Sequence, residues 1–198
     1  MVRWPGGTEM AGTLIYLIGP SGSGKDTLID LARQQLGQDS GVCFAHRYIT
    51  RPASAGGENH VALTEEEFLA RQRAGLFAMS WASHGCHYGI GIEINQWLAK
   101  GLTVVMNGSR GYLKTALQNY PELCPVLIEV SPEVLKERLA RRGRETLQDI
   151  ELRLNRNSQF DLDAEKGCLR VDNTHSPEAA SQRLLAIINQ HRRQGACA

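Results

Sequence analysis

Thr13-Leu14-Ile15-Tyr16-Leu17-Ile18-Gly19-Pro20-Ser21-Gly22-Ser23-Gly24-Lys25-Asp26-Thr27 runs from an apolar segment into a glycine-rich turn, and Leu28, Ile29, Leu31, Ala32 and Leu36 follow at helical spacing. The reading is a buried strand, a tight turn and a helix. Such a turn aims successive backbone N–H groups, the helix dipole and one lysine at a single point, which suits a polyphosphate. Gly19, Gly24 and Lys25 fall at the offsets of a P-loop. Asp26 stands where that pattern has Ser or Thr, and Thr27 follows one residue late.

Outward from this stretch, strands and helices alternate. Val42 to Thr50 reads as a second strand ending at Arg51-Pro52, and Ala53 to Asn59 is a loop of small residues. Thr64-Glu65-Glu66-Glu67 is a capping box, in which the Thr64 hydroxyl and the Glu67 carboxylate satisfy free N–H groups, and it predicts a helix to about Ala74. Leu76 to Ser83 and Cys86 to Tyr88, parted by His84-Gly85, read as a hairpin. Gly89 and Gly91 then open a helix over Ile92 to Lys100.

Leu102 to Met106 is a continuous apolar strand that stops at Asn107-Gly108, a helix follows over Gly111 to Asn119, and Pro125 to Val130 is another core strand. Ser131-Pro132 starts a helix to about Arg141. Thr146 caps the next, to about Leu162; Cys168 to Val171 is the last strand and Ser176-Pro177 starts the last helix. The alternation predicts an α/β fold with a parallel sheet covered on both faces.

A chain of 198 residues suits one well-buried core with an inserted subdomain. A net charge of +1 argues against a nucleic-acid or anionic-membrane surface. No apolar stretch approaches the roughly 20 residues of a membrane span, and Met1 to Gly12 has no apolar signal region, so a soluble, cytoplasmic protein with a flexible extension over 1–12 is expected. Five widely spaced cysteines without a C-x-x-C pair indicate neither a disulfide framework nor a zinc site.

Arg138, Arg141, Arg142 and Arg144 cluster where a helix ends and a glycine-containing loop begins. They read either as solvated charges complementing the helix dipole or as a lid whose guanidinium groups stabilise a transferring phosphoryl group. Arg51, at a strand end before a proline, projects over the same sheet edge as the P-loop. His46, His60, His84 and His87 fit no metal-ligand spacing and read as structural or polar substrate contacts. Trp81, Trp97 and Tyr88 read as core or pocket wall.

Gly19 to Lys25, Tyr48-Ile49-Thr50-Arg51-Pro52, Tyr88-Gly89, and Arg138-x-x-x-Arg142-Gly143 followed by Arg153 together resemble guanylate-kinase-like nucleoside monophosphate kinases over about 13–193. The resemblance implies a P-loop NTPase fold, with a core over 13–50, 101–140 and 147–193, an acceptor-binding insert over 51–90 and a short lid over 141–150. It implies that Gly19, Pro20, Ser21, Gly22, Ser23, Gly24, Lys25, Asp26 and Thr27 hold the phosphates of ATP. Arg51 and Tyr88 would hold the acceptor phosphate, and Lys25, Arg138, Arg142 and Arg153 would be catalytic, bridging donor and acceptor.

The departures matter as much. Ala82 stands where the family has a glutamate that reads guanine, and Asn107-Gly108-Ser109 stands where it has acidic residues. The Arg51 to Leu63 stretch is shorter, with Ala53 or Ser54 in place of a second arginine. A site that reads the guanine edge loses discrimination without those acceptors. The combination resembles a branch of the family whose acceptor is a sugar bisphosphate without a base, in phosphonate breakdown.

Such an acceptor needs a second phosphate contact, for which His46, Arg47, His60 and Arg110 are candidates. Its attacking phosphate oxygen is already anionic, so no general base is required. Mg²⁺ is the expected metal, contacted by Asp26 through water with Thr27 as the alternative hydroxyl; otherwise Asp26 serves only the helix N-terminus. The expected partner is a small sugar phosphate, without nucleic acid or membrane, and a homodimer is compatible with the chain. Competing readings are a nucleoside monophosphate kinase of relaxed base choice and, least favoured, a non-catalytic interaction module.

Overall fold

The computed structural model describes residues 12–37, 41–52, 59–142, 151 and 167–192. Among these, strands β1 (Leu14–Ile18), β2 (Val42–Phe44), β7 (Thr103–Asn107), β8 (Cys124–Glu129) and β9 (Leu169–Asp172) form a parallel sheet in the order β2-β7-β1-β8-β9. The central β1 is buried on both faces, so its side chains divide by the two-residue period of a strand. Ile15 and Leu17 join one core with helices α1 (Lys25–Leu36) and α6 (Pro177–His191). Leu14, Tyr16 and Ile18 join another with α3 (Glu93–Ala99) and α4 (Leu113–Asn119). The parallel sheet covered on both faces is the expected architecture.

A second sheet, in the order β4-β3-β6-β5, is made of β3 (Arg47–Ile49), β4 (Val61–Ala62), β5 (Phe77–Ser83) and β6 (Cys86–Gly91). The single strand expected over Val42 to Thr50 is therefore two. Val42 to Phe44 pairs with β7, and Arg47 to Ile49 pairs with β6. The polar His46-Arg47 step lies where the backbone leaves one sheet for the other, a choice of partner that the local sequence does not signal.

Helix α2 (Glu65–Arg73) begins as expected, with the Glu67 N–H donating to the Thr64 hydroxyl at 3.1 Å. The other half of the capping box does not form. The Glu67 carboxylate instead accepts from Arg71 one turn on, at 2.7 Å, the alternative open to an exposed helical Glu with a cation at i+4. His84 and Gly85, with φ of 50° and 71°, make the two-residue hairpin turn between β5 and β6. Gly89 and Gly91 lie within β6, and the helix expected over Ile92 to Lys100 follows directly as α3; a Cβ on Gly89 would meet the Phe77 ring at 2.8 Å.

Helix α5 (Pro132–Arg142) starts where Ser131-Pro132 places it, and the Ser176 hydroxyl caps α6 by accepting from the Ala179 N–H at 3.2 Å. Of the expected helix from Thr146 to Leu162 only Glu151, which is helical, is described; the rest lies outside the described residues, as does the extension over 1–11. Cys43, Cys86, Cys124 and Cys168 are free thiols. No helix among the described residues is long and apolar enough to cross a membrane.

Tyr16 ties the floor of the sheet to the loop after β7. Its fully buried hydroxyl accepts from the Ser109 N–H at 2.9 Å and donates to the Ser109 carbonyl at 3.1 Å. Burial pushes its pKa well above the ordinary tyrosine value, so it stays a neutral donor. Gly108 permits the approach, because a Cβ there would sit 2.3 Å from the Tyr16 ring. Gly108→Ala is expected to destabilise the fold by about 2 kcal/mol, lowering the thermal midpoint by roughly 5 °C. In a double-mutant cycle with Tyr16→Ala the two losses should fall short of additivity by about 1 kcal/mol or more, since the new methyl group then has room.

Candidate active site

The turn from β1 into α1 is set by backbone conformation. Gly24, the N-cap of α1, is left-handed at φ 88° and ψ 17°, and a Cβ there would lie 2.5 Å from Asn173 Nδ2. Only glycine meets both demands at low cost. The Lys25 ammonium folds back over the loop, donating to the Gly19 carbonyl at 2.8 Å, the Pro20 carbonyl at 3.1 Å and the Ser23 hydroxyl at 3.4 Å. Ser23 is fully buried, whereas Ser21 and Thr27 are exposed. The loop thus gathers a cation, a helix N-terminus and backbone N–H groups at the carboxyl edge of the sheet.

Asn173, which the sequence reading passed over, holds this loop from behind. It follows β9, is buried, and its Nδ2 donates to the Ser23 carbonyl at 2.7 Å across 150 residues of chain. Its own carbonyl accepts from Arg138 Nη2 at 2.8 Å, and its N–H donates to the Glu129 carbonyl at 2.8 Å. One residue therefore fixes both the phosphate loop and an arginine of α5. The available signal was its position: a polar residue directly after the last strand, at the carboxyl edge where α/β sheets bind ligands.

Asn173 and Arg138 line a cavity of about 230 Å³ together with Gly22, Gly24, Thr27 and Arg141. Asn173 Oδ1 and Arg138 Nη1 are buried and, among the described residues, lack a hydrogen-bond partner. An acceptor and a charged donor left unpaired in one wall fit a polar ligand. Arg141 is exposed and donates to the Glu137 carboxylate at 2.6 Å, a pair that holds the Glu137 pKa below its ordinary value. The side chain of Arg142, with Arg144 and Arg153, lies outside the described residues.

Beside the lysine, Asn107 Nδ2 donates to Asp26 Oδ1 at 2.6 Å. The end of β7 and the start of α1 thereby share a carboxylate and a carboxamide. Asn107 is buried, and its Oδ1 has no hydrogen-bond partner among the described residues. Asp26 is half-buried and Thr27 is its exposed neighbour. These oxygens suit a hard cation. No cluster of three or more His, Cys, Asp or Glu among the described residues could hold a metal alone.

Residues expected to contact the acceptor gather on or near the second sheet. Arg47 and Tyr88 share one of its faces, with the Arg47 guanidinium 5.2 Å from the Tyr88 ring centroid. His60 Nε2 is bonded to the Arg51 carbonyl at 3.1 Å, which ties the two ends of the loop after β3 together. His46 pairs with Asn59 Nδ2 at 3.1 Å. Arg110 opens a short 3₁₀ turn, Arg110–Tyr112, directly after the Asn107-Gly108-Ser109 segment. Ala82 is exposed and lies on the opposite face from Tyr88, since it pairs with His87 in the β5–β6 register. His84 bonds the Ser83 hydroxyl and His87 faces Glu65 at 3.4 Å.

Comparison with known proteins agrees with this geometry. The guanylate kinase family model matches residues 11–165. A ribose 1,5-bisphosphate phosphokinase PhnN from Thiobacillus denitrificans is 54% identical over 90% of this chain and 93% of its own. One of the same name from Desulfomicrobium baculatum is 55% identical over 88% of this chain and 93% of its own. Among solved structures, guanylate kinase from Anaplasma phagocytophilum superposes with a TM-score of 0.68 at 15% identity, covering 94% of this chain and 89% of that one, which shows the shared fold. The family model spans the phosphate loop, the second sheet and α5, and on that match the chain belongs to the guanylate kinase family.

Proposed function

We propose that this chain transfers the γ-phosphoryl group of ATP to the 1-phosphate of ribose 1,5-bisphosphate, giving 5-phosphoribosyl 1-diphosphate and ADP. The observation that carries this reading is identity of 54% and 55% with ribose 1,5-bisphosphate phosphokinases along nearly the full length of both chains. In the reaction an oxygen of the 1-phosphate forms a bond to the γ-phosphorus, and the bond from that phosphorus to the β–γ bridging oxygen breaks. The attacking oxygen is an anion near neutral pH, so the site needs no general base. Its work is to align the two phosphates and to neutralise their charge.

The donor nucleotide is assigned to the cavity between the phosphate loop and α5. Its unpaired Arg138 Nη1 and Asn173 Oδ1 support this assignment, as does the cradle that a Cβ on Gly24 would fill. In this reading Lys25 exchanges its bonds to the loop carbonyls for phosphate oxygens. Arg138 is oriented by the Asn173 carbonyl, and Arg142 and Arg153 complete the cationic set. Mg²⁺, when bound, supplies further neutralisation of the donor phosphates; Asp26, through water, with Thr27 beside it, is assigned to hold it. The unpaired Oδ1 of Asn107 against Asp26 supports an oxygen site there.

Arg51, Tyr88, His60, Arg47 and Arg110 are assigned to the acceptor, the second sheet with α2 being its binding part. Arg51 and Tyr88 take the accepting phosphate. Arg47, Arg110 and His60 are the groups available to the other. The nucleoside monophosphate kinase reading requires acceptors for a base, and Ala82 supplies none.

ADP release by the purified chain with MgATP should be strongly stimulated by ribose 1,5-bisphosphate, with the diphosphate sugar as product. GMP should be used with at least about tenfold lower kcat/KM, or 1.4 kcal/mol. Equal turnover of GMP would give the reaction to a nucleoside monophosphate kinase. Lys25→Ala should lower kcat by about 10²–10³-fold, the usual loss when one transition-state charge stabiliser is removed. Asp26→Asn should raise the Mg²⁺ concentration needed for half-maximal turnover, and an unchanged Mg²⁺ dependence would remove Asp26 from the metal site.

A further inference from the structure

The register of β3, β6 and β5 puts Arg47, Tyr88, Ile90, Met79 and Trp81 on one face of the second sheet. Met79 and Ile90 pack in the same core as Tyr16, Ile18 and Met106 of β1 and β7. This face therefore looks toward the carboxyl edge where the phosphate loop begins. Helix α2 takes the other face, where Phe68 stacks on Phe77 and His87 at centroid distances of 4.6 and 5.3 Å.

Along the inner face the rings form a continuous series. The Arg47 guanidinium lies 5.2 Å from the Tyr88 centroid, and Tyr88 and Trp81 are parallel within 2° at 5.7 Å. Trp81 meets Tyr112 at 5.5 Å and 30°, and the Tyr112 hydroxyl is hydrogen-bonded to the Ser80 backbone. A base sandwiched between two rings needs a gap of roughly 7 Å, twice the ~3.5 Å contact distance of carbon atoms. The rings stand closer than that, so they pack on one another and leave no slot.

A nucleobase is a planar ring that needs room of its own, and the packed series leaves none between its rings. A base-free sugar phosphate needs no such room. Its anionic group meets Arg47, and its C–H surface meets the rings.

We propose that the Trp81–Tyr88–Tyr112 stack is the specificity determinant of the acceptor site, closing the volume that a nucleobase would occupy and admitting a sugar phosphate alone. The inference rests on the proposed reaction in that its acceptor carries no base. It adds Trp81 and Tyr112, which no assigned role uses.

Binding without ATP tests it free of turnover. Dissociation constants of ribose 1,5-bisphosphate and GMP are measured by titration calorimetry on the purified chain. The unaltered protein should bind the sugar bisphosphate at least about tenfold more tightly than GMP. Trp81→Ala should shrink that ratio at least about fivefold, mainly by tightening GMP, while Trp81→Phe keeps it. Tyr112→Leu should shrink it in the same direction and serves if Trp81→Ala loses its cooperative thermal transition. A ratio unchanged in the variants, as a merely structural role would leave it, overturns the proposal, and so does equal binding of both ligands by the unaltered protein. Absence of diphosphate product in the turnover assay overturns the proposed reaction instead, since the binding ratio is read without any phosphoryl transfer.

Discussion

The left-handed turn at Gly24, pressed against the Asn173 carboxamide, is the constraint on which the rest of the site depends. Chain leaving a fully buried strand must reverse within six residues and enter a helix with its N–H groups pointing back at the sheet edge. The loop has no side-chain cap for that helix and no core of its own. Its shape is held from outside, by Asn173 Nδ2 on the Ser23 carbonyl and by the Lys25 ammonium on the Gly19 and Pro20 carbonyls. The first hold is buried and independent of ligand. The second is the kind that a phosphate can replace, because an ammonium exchanges carbonyl oxygens for more negative ones.

The same carboxyl edge collects the acceptor side through one shared core. Leu14, Tyr16 and Ile18 of β1 pack with Met79 and Ile90 of the second sheet, so the two sheets are not separate modules joined by a loose hinge. Tyr16 carries this coupling furthest. Its ring occupies the space over Gly108, and its hydroxyl holds both backbone groups of Ser109, immediately before Arg110. A residue of the phosphate-loop strand thereby fixes the backbone immediately before Arg110, which the proposed reaction assigns to the acceptor.

Much of this was legible in the residues. The apolar run into Gly19 to Lys25 specified strand, turn and helix without ambiguity, and the serine-proline pairs located two helix starts. What escaped had a common cause. The stretch over 42–50 reads as one strand although its halves serve different sheets, because partner choice is a long-range property that the local sequence does not encode. The Glu67 carboxylate had two competitors within reach, a backbone N–H and Arg71, and side-chain geometry rather than spacing chose between them. Asn173 was missed because a lone buried asparagine has no motif. Its meaning comes from contacts 150 residues away.

On the proposed reaction, the pairing of Asp26 with Asn107 bears on how the site would differ from one built for a nucleoside monophosphate. A carboxylate in the first turn of α1 is favoured by the helix dipole, whereas one at the buried end of β7 has no helix N-terminus of its own. In the proposed reaction the acceptor brings two phosphates. At an effective dielectric of 20, a negative charge about 6 Å from a phosphate costs about 3 kcal/mol per unit of phosphate charge. Placing the carboxylate on the loop and a neutral carboxamide on the strand keeps an oxygen donor at each position. Asn107 still orients Asp26 by donating from Nδ2, yet adds no repulsion against a second phosphate. On the proposed reaction, a carboxylate on α1 beside a neutral amide on β7 fits the charge of the acceptor, just as the proposed aromatic wall fits its lack of a base.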